Sequence, residues 1–182
     1  SATNTNVSGG KFFISFGSTA TDTTMSGGVL SVFGNATNIS IIDGKIEGGA
    51  GSIIDGLSIS EKGAFEFSTD ITLTNTKFFD RQVSIINKTA NDFVLNNGSV
   101  LNVITGSTSM NATINDGRMS IFGSAINTVV NGGEIIGTSG AIIDGLIVNK
   151  EGSFDFNTDM TLTNATLYGK EASIVDNIAS GL

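Results

Sequence analysis

The amino-acid sequence predicts an all-β chain that coils into a right-handed parallel β-helix, or β-solenoid. Three observations predict this fold: a tandem repeat of 89 residues, a shorter recurrence of glycine-containing corners, and short runs between those corners in which apolar and polar residues alternate. Alternation with a period of two is typical of strands, and no stretch shows the sustained periodicity of an amphipathic helix.

The long repeat aligns residues 1–93 with residues 90–182 without a gap, and the segment Ile-Ile-Asp-Gly-Leu at 53–57 returns at 142–146. Self-similarity at a fixed period is the sequence signature of a repeat architecture. We therefore predict a single β-solenoid segment of two tandem 89-residue units, unit one at about 1–93 and unit two at about 94–182. We expect this segment to be part of a longer rod.

Within each unit, the glycine corners return at intervals that suit one turn of such a coil. Thr-Asn-Val-Ser-Gly-Gly at 5–10 recurs as Thr-Thr-Met-Ser-Gly-Gly at 23–28, and Ile-Ile-Asp-Gly follows at 41–44. With about 16–20 residues per turn and strands about 4.8 Å apart, about nine to eleven turns give a rod of roughly 45–50 Å. The apolar members of the alternating runs then form interior columns. These runs are Leu30/Val32, Ile39/Ile41, Leu57/Ile59, Phe65/Phe67, Ile71/Leu73 and Val83/Ile85.

The composition excludes several classes of function. The chain has no Cys and no His, which excludes disulfides, thiol nucleophiles, Ser-His-Asp triads and ordinary zinc sites. Nine basic and 17 acidic residues give a net charge of −8, which argues against nucleic acid and anionic membranes as partners. No apolar run is long enough for a membrane span, so we expect no direct membrane insertion of this segment.

The repeat motif reads Thr-x-Val/Met/Ile-x-Gly/Asp-Gly, then an apolar pair, then Gly-x-Ala near the next corner. It is visible at 23–36 and again at 128–141. This pattern resembles the passenger repeats of AIDA-type autotransporter adhesins, the self-associating surface proteins of bacteria with two membranes. The clearest matches cover residues 5–57 and 94–146.

The resemblance implies a non-enzymatic adhesin segment that is exported across the outer membrane and displayed extracellularly on the bacterial cell surface. It implies roles in self-association, biofilm formation or host-cell attachment, with a second copy or a host surface protein or glycan as partner. Two segments depart from the pattern, at 63–91 and from Gly152 onward. They carry Phe pairs and a Thr-Leu-Thr-Asn motif in place of the double-Gly corner.

Catalysis is an alternative, because parallel β-helices also include pectin-degrading enzymes. The segment Asn-Thr-Asp at 157–159 matches one of their signatures by its letters, but the Asp-Asp, Gly-His-Gly and Arg-x-Lys motifs are missing. Ser-Thr-Asp at 68–70 occupies the same slot in unit one, which favours a structural turn over a general acid or base. We therefore predict no enzymatic activity, no catalytic residue and no cofactor.

Four Asp-Gly pairs, at Asp43, Asp55, Asp116 and Asp144, raise the alternative of calcium bound at the corners. The calcium-binding pattern Gly-Gly-x-Gly-x-Asp is absent. Asp is also favoured at left-handed and Asx corners for structural reasons. The sequence therefore favours a structural role for these four residues, and we predict no metal site.

Charged residues that we expect at the surface form a candidate self-association face. Glu66 and Asp155 lie between Phe residues that should point inward, so their own side chains should face solvent. The pair Glu-Lys at 61–62 becomes Lys-Glu at 150–151, an exchange that suggests positions where neighbouring rods pair charge with charge. The alternative is a solvated face that keeps the rod soluble. The candidate face comprises Glu61, Lys62, Glu66, Asp70, Lys150, Glu151, Asp155 and Asp159.

Two further hypotheses stay open at this point. Phe78, Phe79 and Tyr168 are candidates for a sugar-binding platform, with core packing as the alternative. The chain as a whole could instead be a structural subunit of an extracellular filament or spike that assembles end to end, since unpaired strand edges are templates for pairing.

Overall fold

The computed structural model describes all 182 residues as an all-β chain wound into a parallel β-solenoid of about nine turns. This architecture confirms the predicted fold class. It contains no helix long and apolar enough to cross a membrane. The strands are β1 (Ala2–Val7), β2 (Lys11–Ile14), β3 (Thr19–Val32), β4 (Asn35–Gly48), β5 (Ile53–Ser68), β6 (Thr72–Phe78), β7 (Arg81–Ile86), β8 (Thr89–Asn91), β9 (Val94–Leu95), β10 (Ser99–Val103), β11 (Thr108–Met110), β12 (Thr113–Ile114), β13 (Gly117–Ile121), β14 (Ser124–Ile126), β15 (Val129–Gly137), β16 (Ile142–Asp144), β17 (Ile147–Phe156), β18 (Thr161–Leu167), β19 (Lys170–Val175) and β20 (Ile178–Ser180).

Each complete turn carries three strand segments, which define three faces of the solenoid. In β3 these segments are residues 19–21 on face one, 23–25 on face two and 29–32 on face three. Each segment pairs in parallel with the equivalent segment of the next turn. Outside the pairing of β5 with β10, where the partners are 34 residues apart, the partners are 16 to 19 residues apart, as in Thr19↔Asn35 and Ile53↔Thr72. The predicted length of a turn is therefore confirmed.

The interior consists of columns of apolar side chains, as the alternating runs predicted. Every residue of those six runs is at least 96% buried. A sheet whose neighbouring strands are parallel and in register places equivalent residues on top of one another, so one apolar position per turn becomes a continuous column. The column on face three, for example, runs through Leu30, Ile46 and Phe65.

Two corners of each turn differ in construction. Faces one and two meet at a single residue with a left-handed backbone, such as Asp22 (φ 55°), Asn38 (φ 54°) or Gly56 (φ 70°). Asn, Asp and Gly tolerate this conformation best. Faces two and three meet at what we call the bulged edge, where the strand register shifts. Its segments are residues 26–28, 42–44, 60–63, 96–98, 115–117, 131–133 and 149–152.

The solenoid departs from the predicted uniform parallel stack at two places. Strand β6 continues in parallel with β5, but β7 then runs back antiparallel to β6, and β8 runs antiparallel to β7. The same meander recurs 89 residues later in β18, β19 and β20. The meander inserts no strand on face three, where β5 pairs directly with β10. These meanders lie in the segments that depart from the sequence motif.

A cluster of aromatic rings fills the interior beside the first meander. The rings of Phe65 and Phe78 stack with centroids 4.7 Å apart, and Phe93 packs edge-on against Phe78 at 5.4 Å. Phe67 stacks on Phe65 at 5.2 Å, and all four side chains are at least 99% buried. The meander adds strand segments to faces one and two but none to face three. The four large side chains fill the interior beside it.

Candidate interaction surface

The bulged edge projects further at two turns than at the others. Between Ile41↔Ile59 and Asp43↔Lys62 the pairing shifts from 18 to 19 residues, so β5 carries one extra residue at this edge. The equivalent shift in unit two lies between Val130↔Val148 and Gly132↔Glu151. An extra residue opposite a shorter strand is pushed outward as a bulge. The fold therefore presents two protrusions at equivalent positions of the two units.

These two protrusions carry four of the predicted interaction residues. Glu61, Lys62, Lys150 and Glu151 are all exposed, and none forms an ion pair within the chain. The Asn97 side chain donates a hydrogen bond to the Glu61 carbonyl oxygen, which fixes the backbone of the first protrusion. Both protrusions thus present an unpaired acid and an unpaired base in opposite order along the chain.

The other four predicted residues lie elsewhere on the solenoid. Glu66 and Asp155 face outward on face three, while Asp70 and Asp159 lie at the corner between face three and face one. The structure therefore groups Glu61 with Lys62 and Lys150 with Glu151 along one edge. It does not bring all eight predicted residues onto one face.

Glu66 is half-buried and belongs to an ionic network on face three. Its carboxylate pairs with Lys45, which also lies 3.5 Å from Glu47, and Glu47 lies 3.6 Å from Lys11. The hydrogen bond to Glu66 raises the pKa of Lys45 above its ordinary value, although burial opposes it. Burial alone would raise the pKa of Glu47, but the Ser31 hydroxyl and the lysines outweigh it and lower that pKa. Lysines thus neutralise the acidic groups on this part of face three.

The four Asp-Gly residues lie at separate corners. No group of three or more Asp, Glu, His or Cys side chains is arranged to hold a metal ion. Asp43 accepts a hydrogen bond from the amide of the next residue, Gly44, at 2.6 Å. In this pair the glycine, and not the aspartate, adopts the left-handed backbone, with φ 96°.

Asp55 and Asp144 connect successive turns through identical hydrogen bonds. Asp55 accepts bonds from Thr74 at 2.6 Å and Asn75 at 2.7 Å, and Asp144 does the same with the residues 89 positions further on. The threonine hydroxyl, followed by the asparagine amide, lowers the pKa of each carboxyl. Hydrogen bonds to the ionised form have this effect because they favour the charged state.

We expect the Asp55→Asn/Asp144→Asn double variant to lose less stability in acid than the wild type. A carboxyl with a lowered folded-state pKa stabilises the fold above its unfolded pKa of about 4, and this stabilisation is lost as the pH falls through the folded value. Urea midpoints at pH 6 and pH 3 measure the difference. The control is Asp116→Asn, because the Asp116 side chain accepts no hydrogen bond. An equal acid loss in the double variant and the wild type would contradict the prediction.

A ladder of asparagine side chains, which the sequence hypotheses did not include, runs along the bulged edge of unit two. Asn115 donates to Asn96 at 2.9 Å, Asn131 donates to Asn115 at 2.8 Å, and Asn149 donates to Asn131 at 2.7 Å. The recurrence of Asn at intervals of 16 to 19 residues was the sequence signal for it. The ladder ends beside the protrusion that carries Lys150.

The three candidate aromatic residues have different environments. Phe78 is fully buried in the aromatic cluster, Phe79 is half-buried against the core, and Tyr168 is 58% exposed. Phe78 is therefore a core residue and not part of a sugar-binding platform. Tyr168 lies at the tip of the β18–β19 hairpin, and its hydroxyl donates to the Gly152 carbonyl oxygen at 3.4 Å.

The segment considered for catalysis forms a turn at the corner between face three and face one. The Asp159 amide donates to the Asn157 side-chain oxygen at 3.0 Å, so Asn157 acts as an Asx turn residue. In the equivalent turn of unit one, the Ile104 amide donates to the Thr69 hydroxyl at 3.1 Å. Both observations agree with the structural interpretation of this slot.

Comparisons with known proteins add little to this description. No family model and no curated protein matches the chain. Among solved structures, it is similar to the crystal structure of a TibC-catalysed, hyper-glycosylated TibA fragment. The two are 22% identical over 91% of this chain and 71% of that chain, with a TM-score of 0.48. The functional interpretation therefore depends on the chain's own geometry and on its repeat motifs.

Proposed function

We propose that this chain is a non-enzymatic segment of an adhesin displayed on the surface of a bacterial cell, and that it associates with a second copy of itself. The repeat motifs at 23–36 and 128–141 support the adhesin class through their resemblance to autotransporter passengers. In that setting, association between rods on neighbouring cells leads to autoaggregation and biofilm formation, and a host surface is the other partner.

The observation that carries the proposal is the exchanged charge order at the two protrusions of the bulged edge. In an antiparallel pair of rods, Glu61 of one copy lies opposite Lys150 of the other, and Lys62 lies opposite Glu151. Two-fold symmetry repeats these contacts at the other protrusion, so four attractive pairs form. In a parallel pair related by a two-fold axis along the rods, each protrusion meets its own copy with Glu61 opposite Lys62, so the attraction there would not depend on the charge order of the other protrusion.

The spacing along the edge allows both ends of this contact to form together. Asn97 bonds to the Glu61 backbone, its neighbour Gly98 donates to Asp116, and the ladder continues through Asn131 to Asn149. These contacts span four strand spacings, or about 19 Å. A two-fold axis near Asn115 therefore brings both protrusions into contact at once, and many weak contacts along a rod gain strength through multivalency.

Exchanging the charges of one protrusion tests this proposal at constant net charge. The Glu61→Lys/Lys62→Glu variant gives both protrusions the same order, so every pair across the contact becomes repulsive. Exposed ion pairs contribute about 0.2–1 kcal/mol each, so reversing four pairs should weaken association by at least about tenfold. Sedimentation velocity over a concentration series, at low and high salt, measures the change.

A second exchange is the matched control. Adding Lys150→Glu/Glu151→Lys to the first variant restores attraction at every pair, so association should return to the wild-type level. High salt should weaken the wild type because it screens exposed charges. The alternative of end-to-end assembly predicts no response to either exchange or to salt, and that result would overturn the proposal.

A further inference from the structure

The asparagine ladder on the bulged edge distinguishes unit two from unit one. The positions equivalent to Asn115, Asn131 and Asn149 in unit one are occupied by Ser26, Ile42 and Ser60. The backbones of the two units differ at one turn of this edge, where Gly28 has φ 83° but its counterpart Gly117 has no positive φ. At the following turns, both units carry the same bulge and the same parallel pairing, and Gly44 and its counterpart Gly133 are both left-handed. The ladder is therefore not needed to form the corner, and unit one is an internal control for its role.

Each amide in the middle of the ladder keeps unused hydrogen-bonding capacity. A carboxamide has two N–H donors and a carbonyl oxygen with two lone pairs. Asn115 and Asn131 each use one donor and one lone pair within the ladder, so one of each remains. Both side chains are exposed, and so is Asn149. Because the ladder already fixes their rotamers, a ligand that bonds to them pays little side-chain entropy.

An exposed aromatic ring lies directly beyond the last amide. The Tyr168 amide donates to Val148 at 2.8 Å and its hydroxyl reaches Gly152, so the hairpin tip is held beside Asn149. The ring is 58% exposed. Its counterpart in unit one, Phe79, is half-buried and packs against the core. Unit two thus combines a row of polar groups with a terminal aromatic surface.

We propose that this track, made of Asn96, Asn115, Asn131, Asn149 and Tyr168, binds a linear, uncharged oligosaccharide. The hydroxyl groups of sugars both donate and accept, which matches the spare donor and acceptor on each amide. The strand spacing of about 4.8 Å is close to the length that one sugar adds to an extended chain. Tyr168 supplies the apolar surface on which the last ring stacks.

The charges beside the track favour an uncharged ligand. Asp116 follows Asn115 directly, and Lys150 and Glu151 offset each other next to Asn149. The track has no excess of basic groups, and the chain as a whole carries a charge of −8. An anionic glycan would therefore be repelled, whereas a neutral one would not.

Tyr168 provides a direct readout of binding, because it is the only Tyr in a chain without Trp. Titrations use cellohexaose, chitohexaose and laminarihexaose as neutral probes and hexagalacturonate as the anionic probe. We expect at least one neutral probe to change the fluorescence of Tyr168. Its affinity should increase with chain length up to about the four or five turns that the track covers, and hexagalacturonate should bind more weakly.

Two sets of variants connect binding to the track. Asn115→Ala/Asn131→Ala should lower the affinity by at least about tenfold, since two hydrogen bonds are lost. Tyr168→Ala should lower it further, whereas Tyr168→Phe keeps the ring and should bind nearly as well by calorimetry. The reverse experiment adds Ser26→Asn, Ile42→Asn and Ser60→Asn to unit one, which should create a second, weaker site seen as an increased stoichiometry.

This inference goes beyond the proposed self-association and does not depend on it. Failure of all three neutral probes to bind, or binding that is unaffected by Asn115→Ala/Asn131→Ala, would overturn it. Because the track lies between the two charged protrusions, a bound oligosaccharide should also reduce self-association in sedimentation velocity. Binding without that reduction would contradict the antiparallel pairing and leave the sugar site intact.

Discussion

Ile54→Asp is expected to unfold the turns around it. Ile54 is fully buried in the interior column of face one, between Ala36 and Leu73. The substitution removes packing worth about 2–5 kcal/mol and buries a carboxyl group without a partner, which costs several kcal/mol more. The sum reaches the total stability of a typical domain, about 5–15 kcal/mol. Phe65→Asp, at the centre of the aromatic cluster, should have an effect of the same size.

Ile53→Asp is the matched control for this experiment. Ile53 is the preceding residue in the same strand, but its side chain faces outward and is 47% exposed. We expect a loss of about 1 kcal/mol or less, which is usual for a surface substitution. Circular dichroism melts of the two variants give the comparison. A melt of Ile54→Asp indistinguishable from that of the wild type would contradict the inward orientation of the column.

The interior columns were predictable because their physical cause is visible in the sequence. A strand that is buried on one face must alternate, so Leu57 and Ile59 had to share the interior if the segment was a strand at all. The left-handed corners were predictable for a similar reason, since Asn38 and Gly56 adopt a backbone that other residues resist.

The antiparallel meanders were not predictable from the same pattern. Alternation in β6 and β7 is identical whether the strands run parallel or antiparallel, so residues such as Leu73 and Ile85 point inward in either case. The reversal takes place at a two-residue loop, Phe79-Asp80, in which both residues have positive φ. Asn-Gly and Asp-Gly are the usual signals of such loops, and this loop contains neither.

The candidate self-association face stays a prediction, and the sequence allowed only part of its geometry to be foreseen. The exchanged pair Glu61-Lys62 was recognised because charge order can be compared between units without knowing any contact. The ionic partner of Glu66 could not be recognised, because Lys45 is 21 residues away and meets it only through the register of β4 on β5. The asparagine ladder depends on the same register, since Asn115 and Asn131 are neighbours only after the turns have stacked.

Gly133→Ala is expected to destabilise the solenoid strongly by preventing two turns from stacking at the bulged edge. Gly133 has a left-handed backbone (φ 73°), and a Cβ atom there would overlap the backbone oxygen and nitrogen of Gly117 on the preceding turn. The left-handed conformation costs alanine about 1–2 kcal/mol, and the overlap adds about 1–3 kcal/mol. Backbone atoms of a hydrogen-bonded ladder cannot move aside without breaking the pairing of β13 with β15.

Gly98→Ala separates the two contributions. Gly98 lies on the same edge of unit two with nearly the same backbone (φ 69°), but a Cβ atom there would meet no atom within 4 Å. Gly98→Ala should therefore lower the free energy of unfolding only by the cost of a left-handed backbone in alanine, about 1–2 kcal/mol. Urea unfolding measures the free energy of unfolding of both variants. The additional loss in Gly133→Ala is the energetic effect of the close approach between successive turns. Equal losses would mean that the turns can separate at this edge, and that the corner glycines serve only the backbone conformation.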